Sequence, residues 1–98
     1  MIRHIVAWKL KSEDPVEKAA QAQKMSADLM ALKGLVPSII DIAVGPDVVG
    51  GDNWDIAIVA DFADQSALDA YQQHPDHQAV AGYVRSVVGE RASVDFEV

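Results

Sequence analysis

The sequence predicts an α+β domain built in the order strand, helix, strand, strand, helix, strand, and three observations carry that prediction. Apolar side chains alternate with a period of two in four separate segments. The segments joining the first to the second and the third to the fourth instead place their apolar residues three and four apart, as a helix does. Pro, Gly and Asp stand where one period gives way to the other. At 98 residues, 50% of them hydrophobic, residues 1–98 make one domain with one core, near the size at which a second copy adds useful buried surface.

The first strand has His4, Val6, Trp8 and Leu10 on one face and Arg3, Ile5, Ala7 and Lys9 on the other. Asp14 then reads as an N-cap, with Pro15 at the first helical position and Glu17 at the third, an Asp-x-x-Glu variant of the capping box. A helix is expected over 15–33, with Ala22, Met25, Leu29 and Leu32 on its apolar stripe and Gly34 in a left-handed conformation to end it. After Pro37, Ile40, Ile42 and Val44 alternate with Asp41 and Ala43 until Gly45-Pro46 breaks the second strand. The loop from Pro46 to Asn53 contains Gly50-Gly51-Asp52, too isolated a glycine pair for a phosphate loop. Trp54, Ile56, Ile58, Ala60 and Phe62 then alternate with Asp55, Ala57, Val59 and Asp61 as the third strand, hairpin partner of the second.

Asp64 is placed to cap a short helix containing Leu68 and Tyr71. Pro75 disfavours helical backbone at His74, so that helix must stop there; Asp76 is expected to cap a second helix that starts at His77, is striped by Val80, Val84 and Val87, and ends at Gly89. Arg91, Ser93, Asp95 and Glu97 alternate with Ala92, Val94, Phe96 and Val98 in the last strand. The order βαββαβ is ferredoxin-like, an antiparallel four-stranded sheet with helices on one face.

The alternation assigns His4, Val6, Trp8, Ile42, Ile56, Ile58, Val94 and Phe96 to the helix-covered face. Arg3, Ile5, Lys9, Asp41, Ala43, Asp55, Ala57, Val59, Asp61 and Asp95 go to the other. That second set is too apolar for bare solvent and too charged for a dry core. A second sheet packed against it with water between, as in a dimeric α/β barrel, suits it, and a homodimer is expected.

The formal net charge of −7, with scattered basic residues, argues against nucleic acid or an anionic membrane as partner, because both need clustered Lys and Arg. With no cysteine there is no thiolate metal site, disulfide or cysteine nucleophile, consistent with the cytoplasmic location expected here. Arg3 and Lys9 interrupt the apolar residues of the N-terminus, which therefore does not read as a signal peptide, and no segment reaches transmembrane length.

The densest chemistry lies in Tyr71-Gln72-Gln73-His74-Pro75-Asp76-His77. An imidazole at a helix N-terminus is favoured in its neutral form, the form a general base needs, and Tyr71 on the preceding helix can face the same space. His77 as base and Tyr71 as O–H donor could remove a proton beside a carbonyl and steady the enolate. Val6, Trp8, Met25, Leu29, Ile42, Ile56 and Ile58 would line a pocket for a small apolar or aromatic ligand, with His4 and His74 as polar guides. The alternative is that the histidines satisfy backbone groups at a helix corner and the apolar stripe is plain core. No metal site is expected, since no His-x-x-x-His pair occurs, and no cofactor is implied.

The opening Met-Ile-Arg-His, the strand from Pro37 to Gly45, the Asp61-Phe62 strand end and above all Tyr71…His74-Pro75-Asp76-His77 resemble the stress-responsive dimeric α/β-barrel (Dabb) family over essentially the whole chain. The resemblance implies ferredoxin-like chains whose sheets pair as a homodimeric barrel. One branch, the plant olivetolic acid cyclases, closes a linear polyketide thioester without a cofactor. The catalytic Tyr and His of that branch match Tyr71 and His77, and its first-strand His matches His4. Its further pocket histidine is replaced by Ile56, and aromatic residues of its long helix by Met25, Ser26 and Leu29. Three functions follow as expectations: a cofactor-independent cyclase or isomerase, a non-catalytic stress-related dimeric module, or a cofactor-free monooxygenase-like protein.

Overall fold

The computed structural model describes residues 1–98. Strand β1 (Ile2–Leu10) leads into helix α1 (Pro15–Ala31), a 3₁₀ turn (Leu32–Gly34), β2 (Asp41–Pro46), β3 (Ile56–Phe62), α2 (Gln65–Gln73), α3 (Pro75–Val87) and β4 (Val88–Glu97). The sheet order is β2-β3-β1-β4, every pair antiparallel, which is the ferredoxin-like arrangement expected. All three helices pack on one face. No helix is long and apolar enough to cross a membrane.

The caps account for where the helices begin. Asp14 accepts the Val16 N–H at 3.0 Å and Asp64 the Ala67 N–H at 2.9 Å. Glu17 does not complete the box at α1; its carboxylate accepts from Gln21 one turn on. Gly34 is not left-handed either, since only Gly50 and Gly51 in the β2–β3 loop have positive φ. The helix instead tightens into the 3₁₀ turn, where the Leu32 carbonyl accepts from Leu35 and Val36 while the Leu32 and Val36 side chains are drawn fully into the core. At the α2–α3 corner the N-cap is His74, not Asp76: His74 Nδ1 accepts the Asp76 N–H at 3.1 Å and Pro75 occupies the first helical position. His77 therefore sits at the third.

Ladder register fixes the two faces of the sheet, because directly opposed residues share a face. Val44–Ile58–Val6–Ser93 and Ile42–Ala60–His4–Asp95 form rows beneath the helices. Gly45–Ala57–Ala7–Ala92, Ala43–Val59–Ile5–Val94 and Asp41–Asp61–Arg3–Phe96 form rows on the open face. The expected assignment of β4 is thus inverted. Val94 and Phe96 belong to the open face and Asp95 to the helix side, because the apolar alternation in β4 is directed away from the helices. Asp55 also leaves the open face: it lies just before β3, accepts the Leu10 N–H at 2.8 Å and approaches Lys18 of α1 at 3.4 Å. Ile39 rather than Ile40 is buried, so β2 begins one residue later than its alternation suggests.

Candidate functional site

Six elements line one cavity of about 380 Å³ between the helices and the β1–β4 side of the sheet, α1 through Leu29 and β3 through Ile58 alone. β1 contributes His4, Val6 and Trp8 from its helix-side face, the end of α2 contributes Tyr71, and α3 contributes His77, Ala81, Val84 and Arg85. From β4 the cavity takes Val88, Gly89, Glu90 and Arg91, and the helix-side row of that strand, Arg91, Ser93 and Asp95, offers no apolar side chain to seal the layer.

Tyr71 and His77 meet across the corner, their ring centroids 4.4 Å apart at an interplanar angle of 61°. The proline break is what permits this, because it turns the chain between the last turn of α2 and the first of α3. Phe62 backs the Tyr71 ring at 5.0 Å, and His4 stands edge-on to both Tyr71 at 6.3 Å and Phe62 at 6.4 Å. His4 Nδ1 is hydrogen-bonded to the Asp95 carboxylate, which fixes the orientation of the buried imidazole.

Electrostatically the two central groups are neutral at physiological pH. Burial pushes the Tyr71 hydroxyl up from 10.0 to about 12, and no hydrogen bond offsets that burial. Burial also pushes His77 below its ordinary value of 6.5; the Gln72 carbonyl acts in the opposite direction, and positive charge on His4, Arg85 and Arg91 adds to the lowering. His77 Nδ1 is buried without a partner. A buried nitrogen left free in this way is unusual for a merely structural histidine. The arrangement offers a neutral imidazole and an unengaged phenol side by side on the wall of a cavity of mixed polarity.

Of the residues singled out from the sequence, His4, Val6, Trp8, Leu29, Ile58, Tyr71 and His77 line this cavity. Met25, Ile42 and Ile56 do not; they are closed into the core beneath α1. His74 is spent on the helix corner, capping α3 with its Nδ1 3.7 Å from the Asp76 carboxylate. The sequence reading missed Asp95, hidden by the inverted face of β4, and Arg85 and Arg91. Arg85 was detectable, since His77, Ala81 and Arg85 recur every four residues along one face of α3. No three His, Asp or Glu side chains are grouped so that they could hold a metal ion.

The sequence pattern of the stress responsive A/B barrel domain (Dabb) matches residues 2–98, and the chain belongs to that family. Its fold is shared with a dimeric ferredoxin-like protein of unknown function from Bacteroides fragilis, 31% identical with a TM-score of 0.91, over 99% of this chain and 95% of that one. A dimeric ferredoxin-like protein of unknown function from Thermobifida fusca is 28% identical with a TM-score of 0.84, over 99% and 90% of the two chains. A Dabb-family protein from Mesorhizobium loti, 21% identical with a TM-score of 0.78 over 99% and 95%, has the same fold. No functionally curated protein matches the sequence.

Proposed function

We propose that the protein is a homodimer that binds a small apolar carbonyl compound between helices and sheet and acts on it without a cofactor, through His77 and Tyr71. The observation that carries the reading is the pairing of the two rings at 4.4 Å on the wall of one cavity, with His77 Nδ1 unpartnered and no hydrogen bond acting on the Tyr71 hydroxyl. Neutral His77 removes a proton from the carbon beside the carbonyl. The Tyr71 O–H, held protonated by burial, donates to the oxygen on which charge develops. The imidazolium then returns its proton, either to a different carbon, which is isomerisation, or to the alkoxide formed when the enolate carbon attacks a second carbonyl, which is aldol closure. Each sequence conserves atoms and leaves the enzyme unchanged.

The hydrogen bonds of the corner support giving the structural role to His74 and the catalytic one to His77. His74 has the backbone bond that a structural lock requires, and His77 Nδ1 does not. The dimer is supported by the open sheet face, where Ala43, Val59, Ile5 and Val94 make an apolar row across all four strands with Val94 61% and Val59 37% exposed. The relatives from Bacteroides fragilis and Thermobifida fusca, described as dimeric, point the same way.

The catalytic reading is tested without knowing the substrate by following deuterium exchange beside the carbonyl of an aryl methyl ketone in heavy water by NMR. Wild type should accelerate exchange, and His77→Gln should reduce the acceleration by about 100-fold or more. Tyr71→Phe should also slow it. Equal rates with wild type, His77→Gln and buffer would remove the catalytic role and leave a binding cavity.

A further inference from the structure

The cavity has a chemical polarity that the Tyr71–His77 pair does not explain. Two of the three arginines in a chain of net charge −7, Arg85 and Arg91, stand on its wall. Arg3, the third, is bound in a two-point ion pair with Asp61 on the open face, at 2.9 and 3.1 Å. Neither Arg85 nor Arg91 has a carboxylate partner; Arg91 donates only to the Ser93 hydroxyl at 3.2 Å. Glu90 is the one carboxylate lining the cavity, and its ion-pair partner is Lys9.

Placement gives the two guanidinium groups a direction. Arg85 follows His77 by eight residues on α3, which separates their positions by about 12 Å along the helix axis. Arg91 is opposed to Trp8 on the helix-side face of the sheet, so that it approaches the cavity from below as Arg85 does from above. Between the arginine end and the Tyr71–His77 end the wall is apolar, formed by Val6, Trp8, Leu29, Ile58 and Val84.

We propose that Arg85 and Arg91 form a carboxylate subsite, so that the ligand is an apolar acid whose charged end lies between the two guanidinium groups and whose body reaches along the cavity towards Tyr71 and His77. The inference rests on the reading of this cavity as a ligand site. A guanidinium is always charged and presents a planar fork of donors that matches a carboxylate, and with neither arginine in an ion pair an incoming anion displaces no protein carboxylate. The positive charge that both arginines direct at His77 agrees with their facing the same space.

Matched probes separate this subsite from the cavity itself. Titration calorimetry with decanoate and with decanol compares ligands of one chain length that differ in the charged end. Wild type should bind decanoate about tenfold more tightly than decanol, and added salt should erode that preference while leaving decanol binding nearly unchanged. The Arg85→Gln, Arg91→Gln double variant, with folding checked by circular dichroism, should lose the preference and retain decanol binding. Equal binding of acid and alcohol by wild type, or an acid preference that survives the double substitution, overturns the subsite while the cavity stands. Failure of wild type to bind either probe overturns the cavity reading and this inference with it. The wild-type salt dependence is decisive in its own right should the double variant fold poorly.

Discussion

The two edge strands of the sheet both have helices on the same side, yet one edge is closed and the other open. Under α1, β2 presents Ile42, only 5% exposed, which joins Met25 and Ile56 in the dry core. β4 presents Arg91, Ser93 and Asp95 to the helix side, and every residue from Gly89 to Glu97 is exposed. The difference teaches where a small α+β domain can make room for a ligand. A polar helix-side row on an edge strand leaves the helix layer unsealed, and the same strand is then free to turn its apolar row, Val94 and Phe96, towards a second sheet. Cavity and interface are opposite faces of one strand.

The largest effect is expected from breaking the closed side. Phe62 is fully buried and backs the Tyr71 ring, so Phe62→Ala should cost about 3–5 kcal/mol in urea denaturation at fixed protein concentration. Trp8, 6% exposed and on the border between core and cavity, sharpens the comparison. Trp8→Ala should fall towards the low end of that same range, since part of its surface already faces open space. A cost at Trp8 equal to or above that at Phe62 would mean the β4 side is as tightly packed as the other.

The interface prediction concerns the other face of β4. Val94→Asp places a charge at the β4 end of the apolar row, opposite Ile5, and should weaken association by at least about 2 kcal/mol, shifting the mass seen by light scattering to the monomer. Secondary structure by circular dichroism should survive. An unaltered dimer would show that this face is not the one used.

The order of elements was legible because period and punctuation are local: Asp14-Pro15, Asp64 and His74-Pro75 mark helix starts whatever packs around them. Tyr71 and His77 were legible as neighbours for the same reason, since they flank a proline corner, and His4 was legible from the alternation that puts it with Val6 and Trp8 on one face of β1. What stayed hidden is the sign of a strand. Alternation says that Val94 and Phe96 share a face and Asp95 lies on the other, but not which of the two meets the helices. Hydrophobicity then favoured the wrong choice, because the apolar row awaits a second sheet rather than a helix. The same limit explains Met25, Ile42 and Ile56: they share the cavity's side of the sheet, and only the seating of α1 decides that their part of it is filled.

Smaller still is the effect at the His4–Asp95 pair, which ties β1 to β4 beneath the helices. Asp95→Asn keeps the shape and removes the charge, and should cost about 1–3 kcal/mol because a buried imidazole loses its ionised acceptor. Asp95→Leu removes the acceptor altogether and should cost at least as much in stability, and on the proposed catalytic reading it should also slow the ketone exchange by loosening His4 beside Tyr71. A variant without effect on either measurement would leave Asp95 a solvent-facing edge residue.

The smallest effect on stability, and the most specific, is the pH dependence carried by His77. Its folded pKa lies below the ordinary value of 6.5, chiefly through burial, so the unfolded chain takes up the proton first as the pH falls. The unfolded state then binds more protons than the folded one, and stability rises with pH through that window. The His77 contribution is therefore intact above 6.5 and is lost progressively as the pH drops from there through the lower folded value. His77→Gln carries no titrating group at this position. The stability difference between wild type and variant should be constant above the window and should move against wild type below it. Tyr71 supplies the alkaline counterpart with the opposite sign: its hydroxyl, raised from 10.0 to about 12, favours the folded state up to pH 10 and loses that contribution above it, which Tyr71→Phe should abolish. Parallel wild-type and His77→Gln curves through the acid window would mean that His77 is solvated, and the base assigned to the open side of the molecule would have to be sought elsewhere.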